Sequence, residues 1–94
     1  MDITDIAAIV LAARVVGAPT ERRVSGTTVH QLRLRGQRRG QTVDFSLRDG
    51  HRLWRVEAVT DDHGTNLQPR TLGRRLSARL TELHTQATDR PTSL

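Results

Sequence analysis

Val43-Asp44-Phe45-Ser46-Leu47-Arg48-Asp49-Gly50-His51-Arg52-Leu53-Trp54-Arg55-Val56 is the stretch that decides the fold. Two runs with apolar residues at alternate positions flank Asp49-Gly50, a pair that favours two-residue hairpin loops because glycine accepts positive φ. Taking that pair as the loop sets Arg48 opposite His51, Phe45 opposite Trp54 and Val43 opposite Val56 on one side of a sheet. Asp44 then faces Arg55, and Thr42 faces Glu57, on the other side.

A second hairpin lies just upstream, around Gly36-Gln37-Arg38-Arg39-Gly40. With Gln37 to Gly40 as its loop, Leu34 meets Val43, Leu32 meets Phe45 and Arg33 meets Asp44. The expectation is three antiparallel strands with a row Arg33–Asp44–Arg55 across the outer face, one carboxylate between two guanidinium groups.

Helical patterns flank the strands. Ile3, Ile6, Ile9, Val10, Ala13 and Val16 recur at helical spacing over residues 3–16, with Asp2 or Thr4 available to cap the first turn and Gly17-Ala18-Pro19 to end it. Leu11 and Val15 fall off that stripe. After a polar loop at residues 60–66, Leu72, Leu76, Leu80, Leu83 and Ala87 predict a second helix over 69–87, with Pro69 at its first position. The fold class is therefore α+β, in the order α-β-β-β-α, with a three-stranded antiparallel sheet and two helices packed on its Phe45/Trp54 face. Residues 1–88 make one domain and residues 89–94 a flexible tail. That order is shared with double-stranded RNA-binding domains and some small RNases, but no motif of either is present.

At 94 residues the chain is long enough for one domain only. It buries about 60–65% of its unfolded surface, a thin margin that association with a partner would improve. It has no cysteine, which excludes disulfides, thiolate metal sites and a cysteine nucleophile. The four histidines sit on different elements at no metal-binding spacing, Asp61-Asp62-His63 reads as a polar turn, and no glycine-rich phosphate loop precedes a helix. The expectation is a protein that is not an enzyme and carries no cofactor and no metal. The apolar run Ile6–Ala13 is far below the roughly 18–20 residues of a membrane span, which predicts a cytoplasmic protein with no membrane partner.

Charge carries the functional signal. All fifteen cations are arginine, against ten acids, for a net +5. Residues 22–55 hold nine arginines and two acids, whereas residues 56–69 hold three acids and no arginine. With Arg33 and Arg55 assigned to Asp44, the candidates for nucleic-acid phosphates are Arg38 and Arg39 on a hairpin tip and Arg70, Arg74 and Arg75 at a helix start. Both aromatic residues have core parity, so base stacking is not expected. The leading expectation is a small basic binding module that contacts the phosphate backbone without strong sequence specificity, as a homodimer. The alternative is a protein-binding adaptor or inhibitor of the kind carried by phages and mobile elements. It would act through Leu11 and Val15 on the first helix and Leu53 and Val59 on the outer sheet face.

Overall fold

The structure is a computed structural model that describes residues 2–50 and 52–89, with every side chain in them except that of Gln68. His51, the expected partner of Arg48, and residues 90–94 of the expected tail lie outside the described residues. The element order is α1 (Ile3–Leu11), β1 (Arg14–Val15), β2 (Thr20–Val24), β3 (Thr27–Arg38), β4 (Gln41–Asp49), β5 (Trp54–Asp61), β6 (Gly64–Thr71) and α2 (Arg74–Thr88). The class is α+β, but the sheet has six strands where three were expected. β3, β4, β5 and β6 form an antiparallel meander, and β1 and β2 both pair with the free edge of β3. The likeness to the α-β-β-β-α order of RNA-binding domains ends there.

The extra strands escaped the sequence pattern for physical reasons. β2 is Thr-Glu-Arg-Arg-Val, exposed throughout, so no apolar alternation marks it. It forms because Ser25 and Gly26, at φ 50 and 80, close a tight turn back onto β3. β6 carries Pro69, which cannot donate to a ladder, and it lies at the sheet edge where that donor is not required. Pro69 therefore belongs to a strand, and α2 begins five residues later, at Arg74. The first helix ends at Leu11, not at residue 16. Arg14 and Val15 leave it to pair with Arg35 and Leu34.

Both expected hairpin registers shift by an even number of residues, so the paired side chains of β3, β4 and β5 as far as Val56 keep their faces. The β3–β4 turn is Arg39-Gly40 alone, at φ 52 and 80, which sets Arg38 opposite Gln41, Leu34 opposite Phe45 and Arg35 opposite Asp44. In the β4–β5 hairpin Asp49 stays in the strand, because its carboxylate accepts the His30 backbone N–H at 2.8 Å. The loop runs over residues 50–53, closed by Gly50 N–H donating to the Leu53 carbonyl at 2.7 Å. Leu47 thereby faces Val56, and Arg48 faces Arg55.

Glu57 is skipped in both ladders of β5, as the extra residue of a β-bulge. The bulge reverses the alternation beyond it. Val59, expected on the outer face, joins Trp54 and Val56 on the core side and is buried. One apolar cluster results, with Ile6, Ile9, Val10 and Ala13 from the α1 region, Leu80 and Leu83 from α2, and Leu32, Leu34, Phe45, Leu47, Trp54 and Val56 from the sheet. Gly36 lets α1 lie close to β3, since a Cβ there would meet Ile9 Cγ2 at 2.5 Å. Ser77, buried on α2, accepts the Trp54 backbone N–H at 2.9 Å and stitches the helix to β5. Both helices share that cluster, and the opposite face of the sheet is left without a helix.

Candidate functional site: the open arginine face

Because side chains opposite one another in a ladder share a face, the registers place every residue of the helix-free side. Arg14, Arg35, Asp44, Thr60 and Thr65 form one row across the strands. Arg33, Ser46, Ala58 and Leu67 form the next. Thr20, Gln31, Arg48, Arg55 and Thr71 form the third, and Arg22 lies beyond it, opposite Val29. Six arginines thus share this face with two carboxylates, Asp44 and Glu57.

Asp44 is the best-neutralised group. Arg35 binds it through two guanidinium nitrogens, Nε to Oδ1 at 2.8 Å and Nη2 to Oδ2 at 3.1 Å. That hydrogen bond, with the nearby cations Arg35, Arg33 and Arg14, holds its carboxyl below the usual range against a smaller opposing effect of burial. The Arg35 guanidinium is correspondingly raised. The expected row Arg33–Asp44–Arg55 is therefore replaced: Arg35 is the partner, Arg33 stands nearby, and Arg55 lies on a different row.

The second carboxylate is shared more loosely. Glu57 Oε2 is 3.8 Å from Arg48 Nε and 3.9 Å from Arg22 Nη2, both too long for hydrogen bonds. Arg48 Nε is buried and has no hydrogen-bond partner. Two like-charged pairs also stand directly opposite one another, Arg14 with Arg35 and Arg48 with Arg55. Such pairs destabilise a free sheet.

The expected site residues do not assemble into one patch. Arg38 points to the helix side and donates to Asp5 of α1 at 2.9 Å, so it serves the fold. Arg39 stays exposed at the β3–β4 turn. Arg70 is exposed on β6, and Arg74 and Arg75 occupy the exposed first turn of α2. Thr71 lies in the Gln31 row, eight residues along β3 from Arg39 and three strands across, so the two groups are separated by about 26 Å along the strand direction alone at ~3.3 Å per residue. Of the expected protein-contact residues, Leu11 is exposed, Val15 is half-buried against the core, Leu53 lies in the β4–β5 loop and Val59 is buried. Leu67, on the open face of the edge strand, is the most exposed large apolar residue described, at 82%.

Elsewhere, His30 Nδ1 lies 3.5 Å from Glu21 Oε1, and the His30 ring stands 5.0 Å from that of His84. Among the described residues no group of three His, Asp or Glu is placed to hold a metal ion, and no helix is long and apolar enough to cross a membrane. A cleft of about 680 Å³ runs between the second half of α2, with Arg79, Leu83 and Gln86, and residues 13–18. Compared with protein-family models, with curated proteins and with solved structures, the chain matches none of them.

The signal for the open face was present in the sequence as the alternation Leu32-Arg33-Leu34-Arg35 and the run Arg48 to Arg55. Pairing Arg33 and Arg55 with Asp44 in the wrong register concealed it.

Proposed function

We propose that this protein is a non-enzymatic binding module that holds nucleic-acid phosphates against its open sheet face. The observation that carries this reading is a helix-free face on which six arginines meet two carboxylates and two Arg–Arg pairs stand opposite each other. Guanidinium groups bind phosphate oxygens through a planar fork of donors. Arg14, Arg33, Arg48 and Arg55 supply these contacts, Arg35 is partly committed to Asp44, and Arg39 extends the field at the β3–β4 turn; Arg70, opposite Val56, and Arg74 and Arg75 on α2 belong to the helix side. Phe45 and Trp54 are buried on the other side, so bases find no stacking platform on this face. Binding is backbone-directed and steeply salt-dependent. Four phosphate contacts give a logarithmic salt slope of about −3.6, a loss of roughly a hundredfold between about 50 and 200 mM salt. Fluorescence anisotropy with a labelled mixed-sequence duplex checks this, and absence of binding at the low-salt end rejects the reading.

A second reading, an adaptor or inhibitor that binds protein, is favoured by Leu67 and Leu11, exposed at 82% and 57%. Leu67 lies on an edge strand, where a second copy can add its own strand. Light scattering distinguishes the two: a dimer abolished by Leu67→Ser supports pairing through β6, and a monomer at all concentrations rejects it.

A further inference from the structure

The open face continues at one end into an exposed two-stranded segment. β3 has twelve residues, of which 31–38 pair with β4. Residues 27–30 pair with β2 alone, through 21–24. His30 still lies beside Asp49 of β4, whose carboxylate accepts its N–H, so the two strands continue three ladder pairs past β4 as a ribbon, about 10 Å at ~3.3 Å per residue. The tight turn at Ser25-Gly26 keeps the ribbon two strands wide to its tip, and every residue from Thr20 to Thr28 is exposed.

The two faces of the ribbon differ. Thr20, Arg22, Val24 and Thr27 continue the open arginine face, whereas Glu21, Arg23 and Thr28 continue the helix side. The Arg22 guanidinium lies 3.9 Å from Glu57, and that of Arg23 donates to the Gly26 carbonyl at 3.2 Å, a brace across the turn. Neither contact exhausts the five donors of a guanidinium. Val24, 37% exposed, is a large apolar side chain on the arginine-bearing face.

A two-stranded ribbon is one of the two elements that the major groove of B-form DNA, about 12 Å wide, admits. The major groove of an A-form RNA helix is deep and narrow and does not admit side chains. We propose that the β2–β3 ribbon enters the major groove of duplex DNA, with Arg22 donating to a guanine edge and Val24 and Thr27 against thymine methyls, while the arginine face behind it holds the flanking phosphates. This rests on the phosphate-binding reading and names its partner as double-stranded DNA. Phosphates anchor and orient the protein, and the ribbon supplies a modest base preference.

The test compares a mixed-sequence DNA duplex, the same sequence as an RNA duplex and its single strand, by anisotropy with the full chain, together with dimethyl sulfate protection of guanine N7. The expected result is at least tenfold preference for the DNA duplex and protection of guanine N7 in the major groove. Arg22→Ala removes the protection and weakens the tightest complex by about tenfold, the worth of one good guanine contact. Equal affinity for RNA and DNA duplexes, or unprotected guanine N7 in a complex that Arg48→Ala abolishes, overturns the ribbon proposal and leaves the phosphate reading standing. If none of the three nucleic acids binds at low salt, both fall.

Discussion

Asp44 stands among Arg14, Arg33 and Arg35, and its environment predicts two opposite effects of removing its charge. Its carboxyl titrates below the ordinary value of about 3.9, so its ionised form stabilises the native state. That contribution is present above the unfolded value and fades as pH falls through the lower folded one. Asp44→Asn therefore lowers the thermal midpoint at neutral pH, and the difference from the parent closes below about pH 3.9, which melting curves across pH will show. The same substitution removes one of two acids from the open face, so it tightens duplex DNA binding while weakening the fold. At Gly36 the constraint is steric. Gly36→Ala drives a Cβ into Ile9 and should cost about 1–3 kcal/mol, read by urea denaturation.

At the scale of elements, α2 is held to the sheet by polar contacts as well as by its leucine stripe. Ser77 Oγ accepts the Trp54 N–H, and Thr81 Oγ1 accepts the Trp54 indole N–H at 3.1 Å. Ser77→Ala strands a buried backbone donor and should cost about 1–3 kcal/mol in chemical denaturation, with the helix content unchanged by circular dichroism. The helices and the Phe45 and Trp54 strands were legible in the sequence because each buries one apolar face, and burial leaves a period. Their partners were not. β2 buries nothing, β6 has a proline and a single large apolar residue, and α1 lost its last turn to a strand pairing that only β3 could offer. The registers failed for a local reason: Asp49-Gly50 has the composition of a tight loop, but the Asp49 side chain is engaged by His30, so the turn forms further along. Even shifts preserved the faces. The Glu57 bulge did not, and it alone carried Val59 from the outer surface into the core.

Over the whole molecule, the arginines sort by what lies behind them. Arg38 secures α1 through Asp5, Arg79 pairs with Glu82, and Arg35 holds Asp44. Arg14, Arg33, Arg48 and Arg55 remain on an uncovered sheet, crossing it diagonally from β1 to β5, with the exposed ribbon at one end. Under the phosphate-binding proposal, net charge sets the sign of the partner and the register of the strands sets its place. The account stands most directly on the salt dependence of duplex binding for the parent and for the double variant Arg48→Ala/Arg55→Ala, with Arg39→Ala as the comparison. Loss of two phosphate contacts should flatten the logarithmic salt slope by about 1.8 and Arg39→Ala by no more than about half of that. A double variant with the parent's slope and affinity, or an Arg39→Ala effect as large as that of the pair, would contradict the open sheet face as the binding surface.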